Sequence, residues 1–273
     1  MTITTAIVTL TDKAYEEKAK RTIMDVRTRG QWQGDIVLIT IGFDMSNNFL
    51  DYYGVIQKRF EHIDTRQLTE QFRTYPLQTV GDNRHLLKLT QWNKFYVFDP
   101  WFAQWKRIVF LDAGLRVLDS IQYLLQVPFE GKIVAPDDLP PQDTANGFER
   151  MWELNANPPA ADALLRNYSA DMMKQHYFLN CIWMYDTALL AKCNVTHLIE
   201  AMNAYPMARC NEMTIMNLLF TFQHKAWTPF PEFASHAKRL FGWTEHDRDY
   251  GTDRTWRDFC FVKYPTTIGW NCE

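Results

Sequence analysis

Short apolar runs alternate with amphipathic stretches along the first third of the chain. Residues 5–10 and 35–40 are rich in β-branched and aliphatic side chains and have the length of buried strands, and residues 54–60 predict a third strand. The stretch between the first two runs opens with Thr11 and Asp12, which are good helix N-caps, and continues with apolar side chains at helical spacing. That spacing comprises Tyr15, Ala19, Ile23 and Val26. The opening of the chain therefore predicts a β-α-β unit.

The remaining elements are less regular. Residues 84–105 predict one helix and a second short one, divided at Pro100 because proline cannot continue a helix. Residues 139–176 are rich in Pro and Asn and predict an irregular insertion over one end of the sheet. Asn211 is expected to cap a helix over residues 212–222. Further strands are predicted over 107–111, 115–118, 132–136, 177–185 and 261–265, and the one over 177–185 is expected to be interrupted at Asn180. Strands alternating with helices favour a single α/β domain, because no repeat or linker divides the chain.

The run from Arg107 to Leu118 carries the most specific chemistry. Four apolar residues end at a single carboxylate, Asp112, and the small pair Ala113 and Gly114 follows it. An acid at the carboxyl end of a buried strand lies where open α/β sheets bind their ligands. The alternative is a strand end turned by an Asp-Ala-Gly bend, without a ligand.

Composition and charge exclude several classes of protein. The 273 residues are 47% hydrophobic and carry a net charge of −3, so the basic face that duplex binding needs is absent and no nucleic-acid partner is predicted. The five cysteines have no C-x-x-C spacing and predict free thiols in a reducing compartment. The first residues lack a basic leader, and no apolar run reaches the roughly 20 residues of a membrane span. The sequence therefore predicts a soluble, cytoplasmic protein without a membrane partner.

Common catalytic signatures are also missing. The seven histidines show no paired spacing, so zinc chemistry has no support. The chain has no G-x-G-x-x-G, P-loop or G-x-S-x-G motif, which argues against dehydrogenase, kinase and esterase activity. Aromatic residues make up 15% of the chain, which fits either a well-filled core or sugar stacking.

Eight segments match one pattern in order and spacing. They are residues 6–15 (Ala-Ile-Val-Thr-Leu-Thr-Asp-Lys-Ala-Tyr), Asn93-Lys94-Phe95, Leu111-Asp112-Ala113-Gly114, residues 178–182 (Phe-Leu-Asn-Cys-Ile), Tyr185-Asp186-Thr187, residues 212–217 (Glu-Met-Thr-Ile-Met-Asn), Val262-Lys263-Tyr264 and Trp270. Together they resemble the GT-A nucleotide-sugar glycosyltransferases, most closely glycosyltransferase family eight, which contains glycogenin and the bacterial lipopolysaccharide galactosyltransferases.

The resemblance implies a fold and an activity. The fold is a mixed, mostly parallel sheet flanked by helices in one domain, residues 1–273, with a nucleotide-binding half (1–118) and a donor-sugar and acceptor half (119–273). The activity is the transfer of a hexosyl or pentosyl group from a nucleotide sugar, a UDP-sugar by this resemblance, to a hydroxyl of a glycan or another acceptor. The donor-binding residues that it implies are Thr9, Thr11, Tyr15, Lys94, Asp112, Ala113, Gly114 and Asn180.

Two positions depart from the family pattern. The resemblance implies that the second carboxylate of the Asp-x-Asp motif and a C-terminal histidine bind Mn²⁺ or Mg²⁺ against the donor diphosphate, but this chain has Gly114 and Lys263 there. Glycine offers no ligand atom, and an ammonium group cannot ligate a cation. We therefore expect a transferase that requires no metal, in which Lys263 supplies the missing charge and Asp112 binds the ribose hydroxyls. Mn²⁺ or Mg²⁺ would bind only if Asp112 retains an ion. Further cations are available at Lys94, Arg107 and Arg116.

Glu212 is the remaining candidate catalytic residue. As a general base it would take the acceptor proton in an inverting reaction. Family eight implies retention instead, with the leaving phosphate helping to take the proton, but Met213 stands where the family has a glutamine near the anomeric carbon. The stereochemical outcome stays open, as does the simple alternative that Glu212 is an acid in a first helical turn.

Other interpretations of the sequence stay open. Asn180 would bind either a sugar hydroxyl or neighbouring backbone, and Asp137 and Asp138 would bind sugar or lie in a solvated loop. Lys263 would be an ordinary surface residue if the fold has lost catalysis. The protein would then be a non-catalytic nucleotide-sugar or glycan-binding protein. A sugar-phosphate nucleotidyltransferase is a third possibility, but it would need a Gly-rich basic loop after the first strand.

Overall fold

The computed structural model describes residues 4–74, 88–138, 147–243 and 255–263. Its strands are β1 (Thr5–Thr11), β2 (Asp35–Ile41), β3 (Val55–Phe60), β4 (Arg107–Leu111), β5 (Arg116–Val117), β6 (Ile133–Ala135), β7 (Ile182–Asp186), β8 (Trp227–Pro229), β9 (Arg239–Trp243) and β10 (Phe259–Lys263). Seven of them form a central sheet in the order β3-β2-β1-β4-β7-β6-β8, and a smaller sheet has the order β5-β10-β9.

The central sheet is mixed but mostly parallel. Strands β3, β2, β1 and β4 run parallel, β7 is antiparallel to β4 and β6, and β8 is parallel to β6. All five residues of β4 are buried, as the continuous apolar run predicts for a strand covered on both faces. The predicted single-domain α/β architecture with a mostly parallel sheet is confirmed.

Helices pack around this sheet. In the described ranges they are α1 (Glu16–Thr28), α2 (Asn47–Tyr53), α3 (Arg66–Thr74), α4 (Gln122–Leu125), α5 (Pro158–Tyr168), α6 (Val195–Ala204) and α7 (Glu212–Asn217). Helix α1 buries Ala19, Ile23 and Val26 as its periodicity predicts. Tyr15 does not belong to that stripe: it lies in a 3₁₀ turn capped by the Asp12 carboxylate, and it is 46% exposed.

The two helices predicted over residues 84–105, divided at Pro100, are confirmed where they can be compared, and both are 3₁₀ helices. Residues 84–87 lie outside the described ranges, and Leu89–Phe98 forms a 3₁₀ helix that ends before Pro100, with a second 3₁₀ helix over Pro100–Gln104. The sequence contains the reason, since its large apolar residues recur every three positions. They are Leu89, Trp92, Phe95 and Phe98. A three-residue period aligns side chains on one side of a 3₁₀ helix.

Two later elements are less regular than a single strand or helix. The strand expected over residues 177–185 is interrupted at Asn180, as predicted, by a turn at residues 180–181; before it there is a single bridge between Phe178 and Asp137, and the regular strand begins at Ile182. The helix expected over residues 212–222 is α-helical to Asn217 and continues as a π-helical turn, Leu218–Gln223. Such insertions into a helix commonly occur at functional sites.

Three expectations concern the whole molecule. No helix in the described ranges is long and apolar enough to cross a membrane; cytoplasmic location stays a prediction. The four described cysteines are free thiols, as expected, and Cys272 lies outside the described residues. Most large aromatic side chains pack in the core, as in the stacked pair Phe110 and Trp183 with centroids 3.9 Å apart.

Candidate active site

A cleft of about 440 Å³ opens at the carboxyl ends of β1 and β4. The strand order reverses between these two strands, because β2 and β3 lie beyond β1 and the later strands lie beyond β4. Open α/β sheets bind ligands at this switch point. We call it the Asp112 cleft; its described lining residues are Leu10, Thr11, Asp12, Tyr15, Lys18, Arg21, Ile41, Lys88, Thr90, Gln91, Asn93, Lys94, Asp112, Ala113, Gly114, Arg116 and Lys263.

Helix α1 forms one wall of the Asp112 cleft and is fixed to the turn that follows β4. The hydroxyl of Thr22, buried in α1, accepts a hydrogen bond from the Gly114 N–H at 3.0 Å and donates to the Leu115 carbonyl at 2.9 Å. Gly114 has φ +88°, which L-residues with a side chain rarely adopt. The position therefore suits glycine for a conformational reason as well as lacking a ligand atom.

Asp112 and Lys263 meet on the floor of this cleft. Strand β10 pairs antiparallel with β5, and this register brings Lys263 back beside the turn after β4. The Lys263 Nζ lies 2.7 Å from Asp112 Oδ2 and donates to the Ala113 carbonyl at 3.2 Å. Lys263 is 4% exposed, so its ammonium group is held by these contacts rather than by bulk water.

A second lysine extends the ion pair inward. The Lys94 Nζ lies 3.4 Å from Asp112 Oδ1 and 3.2 Å from Glu212 Oε1. Burial alone would raise the pKa of Asp112, but Lys263 and Lys94 outweigh it and keep that pKa below its ordinary value. Burial likewise opposes the charge on Lys94, and the carboxylates of Asp112 and Glu212 raise its pKa above the ordinary value. Both partners of the Asp112–Lys94 pair are therefore charged at neutral pH.

Glu212 lies beneath the cleft rather than in it. Its Oε1 accepts a hydrogen bond from Asn180 Nδ2 at 2.9 Å as well as the contact from Lys94, and the residue is 1% exposed. Its Oε2 is buried without a hydrogen-bond partner among the described residues. In this arrangement Glu212 orients Lys94 and Asn180 and is not open to an acceptor.

Two buried asparagines, Asn211 and Asn217, hold helix α7, which carries Glu212, in place. Asn217 accepts the Phe178 N–H and donates to the Phe178 carbonyl, so it ties α7 to the segment that carries Asn180. Asn211 is the N-cap residue of α7, as predicted, but its side chain makes no capping hydrogen bond. With φ +50° it instead directs its amide to the Lys88 carbonyl and the Gln91 side chain, which line the cleft.

The structure brings most of the predicted residues together. Thr11, Tyr15, Lys94, Asp112, Ala113, Gly114 and Lys263 line the Asp112 cleft, and Asn180 and Glu212 lie directly behind Lys94. Thr9 is 2% exposed within β1 and is not a lining residue.

The two arginines expected to assist are committed elsewhere. Arg107 begins β4, at the opposite end of the strand from Asp112, where it donates to the Leu125 carbonyl and stacks on Phe129. Its predicted role beside the diphosphate is wrong. Arg116 reaches the cleft but forms a buried ion pair with Asp25 at 2.5 Å.

The acidic pair at positions 137 and 138 is not a solvated loop. The Asp137 carboxylate lies 2.6 Å from His176 Nδ1, and Asp138 is only 9% exposed. Burial, and after it the negative charge of Asp138, raise the pKa of Tyr177 far above its ordinary value. Neither acid is among the described residues that line the Asp112 cleft.

The donor atoms around Asp112 do not fit a divalent cation. Both carboxylate oxygens face ammonium groups, and Gly114 and Lys263 offer no ligand. One group of metal-ligating types exists among the described residues, formed by Asp119, His236 and Cys260. There the Lys238 ammonium lies 2.6 Å from Asp119, and burial raises the pKa of the Cys260 thiol to about 12, so this group is also a poor ion site.

No motif in the sequence indicates three of the basic lining residues, Lys18, Arg21 and Lys88. Lys18 and Arg21 are three residues apart in α1, and Lys18 follows three residues after Tyr15, so neighbouring members of this series lie on the same side of the chain. Once Tyr15 is placed at the site, this spacing predicts Lys18 and Arg21 beside it.

Comparison with known proteins supports the fold. No protein-family model and no curated protein sequence matches the chain. Among solved structures it is similar to the galactosyltransferase LgtC in complex with donor and acceptor sugar analogs, with 15% identity, 95% of this chain and 86% of LgtC covered, and a TM-score of 0.58.

Two further structures show the same likeness. The glycosyltransferase GlyE of Streptococcus pneumoniae TIGR4 has 12% identity over 84% of this chain and 45% of its own, with a TM-score of 0.52. Core-mannan synthase A (Ktr4) of Aspergillus fumigatus, in its Mn/GDP form, has 11% identity over 84% of this chain and 73% of its own, also with a TM-score of 0.52. At these identities the likeness shows the fold: the chain has the GT-A fold, which the resemblance predicted.

Proposed function

We propose that this protein is a glycosyltransferase that moves a sugar from a nucleotide sugar, most simply a UDP-sugar, to an acceptor hydroxyl without a metal ion. The observation that carries the proposal is the Lys263–Asp112 pair, 2.7 Å apart, in the cleft at the switch point of a GT-A sheet. The glycosyltransferases with similar structures, LgtC among them, support the class of reaction.

The nucleotide occupies the outer part of the Asp112 cleft in this proposal. Tyr15 is exposed at its rim and offers a ring to the base, while Thr11 and Asp112 offer oxygen atoms to the ribose hydroxyls. The diphosphate then lies near Lys263. An ammonium group at about 4 Å from a phosphate oxygen attracts it by about 4 kcal/mol at the effective dielectric of a half-buried site. Charge supplied in this way stabilises the departing nucleoside diphosphate.

The donor sugar faces the buried groups behind Lys94. Asn180 and Glu212 are already joined by a hydrogen bond, and Lys94 contacts the Asn180 carbonyl at 3.4 Å as well as Glu212. Because Glu212 is buried, we assign it to positioning rather than to proton transfer. We propose retention. The acceptor oxygen bonds to the anomeric carbon on the face from which the diphosphate leaves, and the bond between the anomeric carbon and the diphosphate oxygen breaks. The acceptor proton passes to the leaving phosphate.

A donor panel tests the proposal. Purified protein is incubated in EDTA with UDP-glucose, UDP-galactose, UDP-N-acetylglucosamine and GDP-mannose, and the released nucleoside diphosphate is measured. Slow hydrolysis of one donor, blocked by Lys263→Met, is the expected result. Nucleotide binding without turnover under all conditions would instead identify a non-catalytic binding protein, and release of pyrophosphate would identify a nucleotidyltransferase.

A further inference from the structure

The charges buried at the site cancel one another. Asp112 and Glu212 carry two negative charges, and Lys94 and Lys263 carry two positive charges within hydrogen-bonding or ion-pair distance of them. Lys263 therefore attracts a phosphate while Asp112, close beside it, repels the same group. If the proposed function holds, a diphosphate with at least two negative charges needs a further cation in the cleft.

Lys18 lies where that cation is needed. It projects from the first turn of α1 into the Asp112 cleft, and its side-chain stem packs across Gly114, where a Cβ atom would lie 3.4 Å from the lysine Cδ. Its Nζ lies 4.7 Å from the centre of the Tyr15 ring. Among the residues that the structure describes, Lys18 has no carboxylate partner, so its charge is available to a ligand.

The two lysines bracket one turn of the chain. Lys263 donates to the Ala113 carbonyl on one side, and Lys18 covers Gly114, the next residue, on the other. An aspartate at position 114 would add a negative charge directly under the Lys18 stem. The glycine thus removes a metal ligand and also leaves Lys18 uncompensated.

We propose that Lys18 is a second diphosphate-binding residue, and that it and Lys263 together take the place of the divalent cation. This inference rests on the proposed function. It predicts that Lys18 recognises the phosphates and contributes little to binding of the nucleoside, although its ammonium group lies over the Tyr15 ring.

Calorimetric titration in EDTA tests this assignment with UDP, GDP and uridine as probes. Lys18→Met should weaken nucleoside diphosphate binding about tenfold, the size expected for a hydrogen bond between charged groups, and leave uridine binding unchanged. Lys18→Arg should restore most of the UDP affinity, since the guanidinium group also binds phosphate. Lys20→Met is the matched control: it removes the same charge from α1, but Lys20 pairs with Glu16 and Glu17 outside the cleft.

The outcomes separate this inference from the proposed function. Wild-type affinity for UDP in Lys18→Met would overturn the role of Lys18 and leave the glycosyltransferase proposal standing. Equal losses for UDP and uridine would also overturn it, because Lys18 would then act only through Tyr15. A wild-type protein that binds neither UDP nor GDP would refute the proposed function itself.

Discussion

Two lysine–aspartate pairs lie at opposite ends of the neighbouring strands β4 and β7. At the carboxyl end of β4, Lys263 contacts Asp112 at 2.7 Å, and at the other end Lys106 contacts Asp186 at the same distance. The contacts are equal in length and differ in their surroundings. Asp186 also accepts backbone N–H bonds from Ala188 and Gly131, and so it ends one strand and starts the next turn.

Asp112 has no such backbone partners among the described contacts of its side chain. Its oxygens face two buried lysines, and 22% of the side chain is open to the cleft. Lys106, in contrast, is half exposed above a carboxylate that is almost fully buried. An ion pair whose carboxylate also accepts backbone N–H bonds stabilises the fold. An ion pair that faces a cleft can exchange a partner for a ligand. Distance alone does not separate the two cases.

The largest expected effect comes from removing the cleft lysine. Lys263→Met should lower kcat/KM by about 100-fold or more, because the substitution removes a positive charge held in place to stabilise the leaving group. Lys106→Met is the matched variant, and its kcat/KM should stay within about twofold of wild type. Initial rates with the donor found in the panel measure both. Equal losses in the two variants would remove the functional distinction between the pairs.

The second largest effect should come from breaking the Lys94–Glu212 contact, and it should appear as a loss of stability. Lys94→Met leaves Glu212 buried without its cation, which should lower the free energy of unfolding by about 3 kcal/mol. Adding Glu212→Gln removes the uncompensated charge and should recover about half of that loss. Urea unfolding of the two single variants and the double variant gives the coupling. Simple additivity would show that the Lys94–Glu212 contact at 3.2 Å carries no energy.

A smaller effect is expected from the Lys106–Asp186 pair, which should make the stability of the fold depend on pH in acid. Burial disfavours the charged form of Asp186, but hydrogen bonds from Lys106 and from the Ala188 and Gly131 amides hold its pKa below the ordinary value. A lowered folded pKa gives stability that is present above the unfolded pKa of about 3.9 and is lost as pH falls through the folded value. Asp186→Asn should therefore cost about 2 kcal/mol at pH 7 and progressively less below about pH 4. Unfolding curves at pH 7 and pH 3 test this; a cost independent of pH would contradict it.

Chelation should have the smallest effect of all. With lysines in place of an ion, turnover should be the same within error in EDTA and in added Mn²⁺, and Lys263→His should lose activity in EDTA. Donor hydrolysis measured under both conditions provides the check. Activity that disappears in EDTA and returns with Mn²⁺ would show that the Lys263–Asp112 pair opens to admit a metal.

Much of the fold follows from local patterns. The apolar runs predict the ends of β1, β2 and β4 to within one or two residues, and Asp112 comes directly after the run that forms β4. The sequence also predicts a helix over Leu89–Phe98, and the recurrence of large apolar residues every three positions distinguishes the 3₁₀ form that the structure has. The segment before β7 does not form a regular strand: a single bridge joins Phe178 to Asp137, and the Phe178 N–H and carbonyl bond to the Asn217 side chain.

The sequence by itself determined where β1, β2 and β4 end, and that a glycine and a lysine stand at positions 114 and 263, because both are properties of short local segments. Only the tertiary structure decided that Lys263 reaches Asp112 from 151 positions away, that Glu212 lies beneath the cleft, and that Arg116 pairs with Asp25. Strand pairing and helix docking fix those relations, and they depend on contacts between segments that no local pattern encodes.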